Sequence, residues 1–158
     1  MILYLDTSAL IKRYVTEKGA ELVAQAIAAA MAVGSSVVCR AEMAAALATA
    51  VRMNALPAGD ASAALRVFRS EWPRLVRVQA SEAVIAQADS LAWEAGLRGY
   101  DAVHLASALR LRDAMGEEVT FATFDRRLWQ AAGEQGLASF PGDLPALLDQ
   151  WQQHSSGH

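Results

Sequence analysis

The chain has 158 residues, 54% of them hydrophobic, with a mean hydropathy of +0.18, a formal net charge of −3 and a pI near 5.6. That length buries one sizeable core, the apolar content excludes a disordered chain, and the acidic balance excludes a surface that grips nucleic acid on every side through phosphates. A local basic rim stays open, because 14 cations are present and all but Lys12 and Lys18 are arginine. Cys39 is the sole cysteine, so no intrachain disulfide forms and a reducing, cytoplasmic setting is expected. The weakly polar stretch 22–33 is too short to cross a bilayer, and Asp6 breaks the first apolar run before it could serve as a secretory signal.

In chain order, Ile2-Leu3-Tyr4-Leu5 reads as a strand buried on both faces, because it is short, apolar and without alternation. Thr7 and Ser8 are suited to cap a short helix over 9–15. A helix over 17–32 is expected to stop at Gly34, followed by a strand over 35–39. The run 40–54 favours helix and breaks at Pro57 and Gly59, and another helix over 60–72 ends at Pro73. A third strand is expected at 75–78, then a helix capped by Ser81 and closed by Gly96. Helix over 101–115, strand over 119–122, helix over 125–135, a weak strand over 137–140 and a short helix over 146–151 complete the order. Strands alternating with helices predict an α/β fold, a mostly parallel sheet of four to five strands between two helical layers. No linker or repeat divides the chain, so one domain over 1–151 is expected, with 152–158 as a disordered tail.

Of 17 acidic residues, four fall at special places. Asp6 ends the first strand, Glu42 and Asp125 follow the second and fourth strands by three residues each, and Asp101 opens a helix after the Gly99-Tyr100 turn. Ligands of open parallel sheets bind beyond the carboxyl ends of the strands, where the chain order reverses. If the first strand is central and the second and fourth are neighbours or near-neighbours, Asp6, Glu42 and Asp125 converge there, and Asp101 joins them if its helix starts at the same edge.

Two carboxylates about 4 Å apart repel by roughly 4 kcal/mol at an effective dielectric near 20. Four together either hold protons or take a cation, and oxygen ligands suit hard Mg²⁺ or Mn²⁺. Such an ion activates water and neutralises phosphoryl charge, which makes phosphodiester hydrolysis the leading chemistry.

Each acid also has a plainer reading. Asp6, Asp101 and Asp125 could be helix N-caps, and Glu42 a first-turn charge on a helix dipole. Arg98, Arg126 and Arg127 lie near the expected acidic mouth and are candidates for phosphate contacts, with solvated surface charge as the alternative. His104, three residues after Asp101, reads first as a hydrogen-bonded structural histidine. Trp72, Trp93, Trp129 and Trp151 read as core or interface anchors, and Cys39 as a small core residue.

Four short segments, Leu5-Asp6-Thr7-Ser8-Ala9-Leu10, Arg40-Ala41-Glu42, Gly99-Tyr100-Asp101-Ala102-Val103-His104-Leu105-Ala106 and Ala122-Thr123-Phe124-Asp125, together resemble the PIN-domain family. Within it they are most similar to the VapC-like ribonuclease toxins of toxin–antitoxin pairs. The resemblance implies an α/β/α sandwich, Mg²⁺- or Mn²⁺-dependent cleavage of single-stranded RNA, homodimers and inhibition by a bound antitoxin. Carried onto this chain, it makes Asp6, Glu42, Asp101 and Asp125 catalytic metal ligands or organisers of the attacking water, with Ser8 and Thr123 as hydroxyl groups supporting them.

Other activities fit less well. A phosphotransferase of the haloacid dehalogenase type needs a second Asp two positions after the first, where Ser8 stands. A phosphoryl-receiver domain needs an acceptor Asp after the third strand and a late Lys, where the chain has Gln79-Ala80 and no Lys beyond Lys18. A PIN module that binds RNA or protein without cutting, or one that processes RNA outside a toxin–antitoxin pair, is the nearer alternative.

Overall fold

The chain, described over residues 1–157 in a computed structural model, places its first strand at the centre of the sheet. The strands are β1 (Ile2–Leu5), β2 (Ala32–Ser36), β3 (Val76–Val78), β4 (Val119–Ala122) and β5 (Ala138–Phe140). All pair in parallel in the order β3-β2-β1-β4-β5. The chain builds outward from β1 on one side and then returns to add β4 and β5 on the other. The crevice beyond the ends of β1 and β4 is therefore the reversal point where such sheets bind ligands.

Among the described residues, eight α-helices accompany the sheet: α1 (Thr7–Leu10), α2 (Ala20–Ala29), α3 (Cys39–Arg52), α4 (Ala58–Glu71), α5 (Glu82–Ala95), α6 (Gly99–Met115), α7 (Arg126–Glu134) and α8 (Leu144–Ser155). Alternation along β1 divides them into two layers. Ile2 and Tyr4 pack with buried residues of α5, α6 and α7, whereas Leu3 and Leu5 pack with those of α1 to α4. Every residue of β1 is buried, which explains its unbroken apolar run: a strand covered on both faces has no polar side to show. The expected three-layer α/β sandwich is what the chain adopts. No helix among the described residues is long and apolar enough to cross a membrane.

Several boundaries differ from the sequence expectation, each for a local reason. Asp6, not Thr7 or Ser8, caps α1, its Oδ1 accepting from the Ala9 amide at 3.0 Å. The expected helix over 17–32 is shorter, because Gly19 takes a left-handed conformation (φ 88°) just before α2. A Cβ there would also come within 3.0 Å of both Phe124 and Trp151. Gly34 does not terminate a helix but lies inside β2, opposite Tyr4 and Val76. The β-branched pair Val37-Val38, which suggested strand, follows β2 and leads into α3. Glu42 is consequently the fourth residue of α3, one turn into the helix, rather than three residues past a strand.

The chain end also departs from expectation. Residues 144–155 form α8, so the expected tail is helical through Ser155; His158 lies outside the described residues. Trp151 stacks on Phe124 with ring centroids 5.9 Å apart, and Lys18 Nζ donates to Trp151 O and Ser155 Oγ, which holds this helix down.

Gly34 is closely approached within the sheet, since a Cβ there would meet the Val76 carbonyl oxygen and Leu111 Cδ2 at 3.1 Å each. Gly34→Val is therefore expected to lower the unfolding free energy by about 1–3 kcal/mol through overpacking. Urea denaturation followed by circular dichroism measures it, and an unchanged midpoint would show that β2 and β3 separate without strain.

Candidate metal and active site

The side chains of Asp6, Glu42, Asp101 and Asp125 line one small pocket of about 190 Å³, together with Thr7, Ser8, Arg98, His104 and Phe124. Each acid arrives from a different element: the end of β1, the first turn of α3, the first turn of α6 and the N-cap of α7. The β1–β4 pairing, with Leu5 opposite Ala122, sets Asp6 beside the segment that carries Thr123 and Asp125.

Asp6 is the most enclosed of the four, 3% exposed. Its Oδ1 accepts from the Ser8 hydroxyl at 2.7 Å as well as from the Ala9 amide. Its Oδ2 accepts from the Thr123 hydroxyl at 2.6 Å. Burial raises the Asp6 pKa above the usual carboxylate range, opposed by the charge of His104 and these hydroxyl bonds. Ser8 and Thr123 also fix the backbone after β4, Ser8 Oγ accepting from the Phe124 amide at 2.9 Å and Thr123 Oγ1 from the Asp125 amide at 3.1 Å.

Glu42 is held differently. Its Oε1 accepts from Thr7 Oγ1 at 2.9 Å and from His104 Nε2 at 2.6 Å. A carboxylate only accepts, so Nε2 carries the proton, leaving Nδ1 to meet the Tyr4 hydroxyl at 2.8 Å. Burial would lift the Glu42 pKa, but the bond to His104, its charge and the Thr7 hydroxyl outweigh it and hold the carboxyl below its ordinary range. Cys39 is fully buried beside Thr7, and burial pushes its thiol up to about 11, as fits an inert core residue.

Asp101 and Asp125 form the outer pair. One guanidinium bridges them: Arg98 Nε donates to Asp101 Oδ2 and Nη2 to Asp125 Oδ2, both at 3.1 Å. Desolvation still leaves Asp101 with a raised pKa; Arg98 opposes the rise and the charge of Asp125 adds to it. Asp125 Oδ1 meanwhile caps α7 through the Leu128 amide at 2.9 Å. Capping and site membership thus coexist in Asp6 and Asp125, whereas Arg98 and not Asp101 occupies the N-cap of α6.

Of the three arginines singled out in the sequence, only Arg98 reaches this pocket. Arg126 pairs with Asp149 of α8 at 2.8 Å, and Arg127 donates to the Gly96 carbonyl at 2.9 Å. Both are drawn away by the helices flanking them. Thr7, Tyr4 and Phe124 were missed. A buried tyrosine in an apolar strand needs a partner for its hydroxyl, which was the signal for the Tyr4–His104–Glu42 chain.

The donor set consists of carboxylate and hydroxyl oxygens, the chemistry that suits a hard divalent cation, and two of its acids have pKa values raised by burial. Among the described residues, however, no group of three His, Cys, Asp or Glu side chains is already gathered around a point where an ion would sit. Each acid is engaged by a protein donor instead.

This geometry defines a class. A five-stranded parallel sheet with carboxylates from β1, α3, α6 and α7 converging beyond its reversal point is a PIN-type architecture, and residues 3–134 match the PIN domain family. The chain belongs to that family, in its VapC-like branch. It is similar to Ribonuclease VapC45 of Mycobacterium tuberculosis strain CDC 1551 and Ribonuclease VapC49 of strain H37Rv. Each is 35% identical over 143 residues, 90% of this chain and 97% of the relative. The solved structure of FitAB bound to an IR36 DNA fragment shares the fold, with a TM-score of 0.61 and 22% identity over 89% of this chain and 94% of that one. FitAcB from Neisseria gonorrhoeae does so with a TM-score of 0.59 and 23% identity over 90% and 98%.

The enclosure of Asp6 generates a prediction. A carboxyl whose folded pKa is raised weakens the folded state above its unfolded pKa, so neutralising it should stabilise the metal-free protein. Asp6→Asn in chelator at pH 7 is expected to raise Tm by about 2–4 °C, equivalent to about 1 kcal/mol in a domain of this size. The gain should fade as pH falls toward the ordinary carboxylate range, where the wild-type side chain takes up its proton. A lowered Tm at neutral pH would mean the hydroxyl bonds outweigh the burial cost.

Proposed function

We propose that this protein is a divalent-metal-dependent endoribonuclease that cleaves single-stranded RNA, the toxin of a toxin–antitoxin pair. The observation that carries the reading is the convergence of four carboxylates on one pocket, in a chain 35% identical over nearly its whole length to two ribonucleases. Asp6, Asp101, Asp125 and Glu42 would hold Mg²⁺, with Mn²⁺ as the alternative. When bound, the ion lowers the pKa of a coordinated water and neutralises charge on the phosphoryl group.

The chain's own residues supply the rest. Ser8 and Thr123 fix both oxygens of Asp6, so this carboxylate meets a ligand without first losing rotamer freedom. His104 and Thr7 hold Glu42 ionised and oriented, which suits it to hold a cation or to accept a hydrogen bond that orients the attacking water. Asp101 and Asp125 lie beneath the exposed Arg98, on the side from which a phosphodiester would approach.

A groove of about 830 Å³ opens from the site, sharing Glu42, Arg98 and Asp101 with it and continuing over Ile85, Ala88, Ala92, Tyr100 and Val103 of α5 and α6. Ile85 and Tyr100 are exposed, as is Trp93 on α5. This supports a protein-binding role for that face, in keeping with an antitoxin or a second copy in a cytoplasmic homodimer.

The direct test incubates the purified protein with single-stranded, transfer and ribosomal RNAs, with Mg²⁺, Mn²⁺ or chelator, beside Asp6→Asn. Metal-dependent cleavage is expected, reduced by about 100-fold or more in the variant, since even residues outside the ligand set commonly contribute 10–100-fold. Equal cleavage by both proteins would defeat the assignment, and cleavage by neither would favour an RNA- or protein-binding module. A short neighbouring gene encoding a DNA-binding segment is expected beside this one; its absence would favour RNA processing outside a toxin–antitoxin pair.

A further inference from the structure

The outer acids already have a cation. Arg98 reaches Asp101 and Asp125 with two different nitrogens of one guanidinium, and its side chain is 80% exposed against 20% and 31% for the two carboxylates. The arginine therefore lies over the pocket from the solvent side. Its backbone is fixed, because its carbonyl accepts from the Ala102 amide at 3.0 Å as the N-cap of α6, so only the side chain is free to swing. An Arg–carboxylate pair this exposed contributes little to stability and is readily exchanged.

Resting on the metal reading of this site, we propose that Arg98 is an exchangeable internal counterion, which occupies Asp101 and Asp125 in the metal-free protein and must leave them for a divalent ion to bind. Three observations converge on it. Arg98 holds one oxygen of each acid, Oδ2 of Asp101 and Oδ2 of Asp125, and the other Asp125 oxygen is already taken by the Leu128 amide. No preformed group of three ligands exists among the described residues while it sits there. Arg126 and Arg127, its neighbours in charge, are committed elsewhere and offer no substitute. A ligand that binds only the open fraction of a site shows an affinity reduced by that fraction, so Arg98 would set a threshold on metal concentration. Its charge also offsets the repulsion between the two acids that it bridges.

The test measures Mn²⁺ affinity without RNA, by the electron paramagnetic resonance signal of free Mn²⁺, for wild type, Arg98→Ala, Arg98→Lys and Arg126→Ala. Arg98→Ala is expected to bind about 3- to 10-fold more tightly. Arg98→Lys, which keeps the charge but loses the two-nitrogen bridge, is expected to fall between it and wild type. Arg126→Ala, which removes a charge that does not touch these acids, should stay within about twofold of wild type. Unchanged or weaker binding by Arg98→Ala while wild type binds would overturn the exchange and leave the metal reading intact. Equal tightening by Arg126→Ala would overturn it in favour of net charge alone. Absence of Mn²⁺ binding in all four proteins would defeat the metal reading, and the exchange with it.

Discussion

A carboxylate enclosed at the end of the central strand sets the terms for its surroundings. Water would normally solvate such a group, and at Asp6 the protein must replace it. The replacement is the Ser8 and Thr123 hydroxyls and the Ala9 amide, and these same groups define the local structure. The Ala9 amide starts α1, Ser8 binds the Phe124 backbone, and Thr123 binds the amide of Asp125. The segments that leave two adjacent strands, β1 and β4, are thus tied together through one acidic side chain, and the solvation of Asp6 helps to position Asp125.

Electrostatics then separates the four acids into an inner and an outer pair. Asp6 and Glu42 are held by neutral hydroxyls and an imidazole, whereas Asp101 and Asp125 share a guanidinium near solvent. Depth alone does not draw this line, since the Glu42 side chain is 25% exposed, between Asp101 at 20% and Asp125 at 31%. The line follows from the partners at hand, His104 and Thr7 beside Glu42 and Arg98 beside Asp101 and Asp125. One pocket accordingly presents a rigid floor and an adjustable mouth.

Much of this was legible in the residues, though unevenly. The strand ending at Asp6, the α/β alternation and the separation of the four acids along the chain all pointed to one convergence point, because parallel topology sends every strand end to the same edge. Element boundaries were read less well around Gly34, Val37 and Val38. There, local preference favoured a helix stop and a later strand, but close approach of Val76 and Leu111 leaves little room for a side chain at Gly34 within β2. Partners in space were hidden altogether. Nothing local says that Arg127 turns to the Gly96 carbonyl, or that His104 reaches Glu42, since these contacts join residues far apart in the chain.

The chain of bonds from Tyr4 through His104 to Glu42 begins inside the apolar interior, where Tyr4 stacks on Phe121 with ring centroids 5.4 Å apart. The orientation of a pocket acid is thereby referred back to the packing between β1, β4 and α6. Interior volume and surface chemistry are mechanically coupled here, so a repacked interior that keeps its stability would still shift the aim of Glu42. A redesign of the interior would have to carry Tyr4, Phe121 and His104 together.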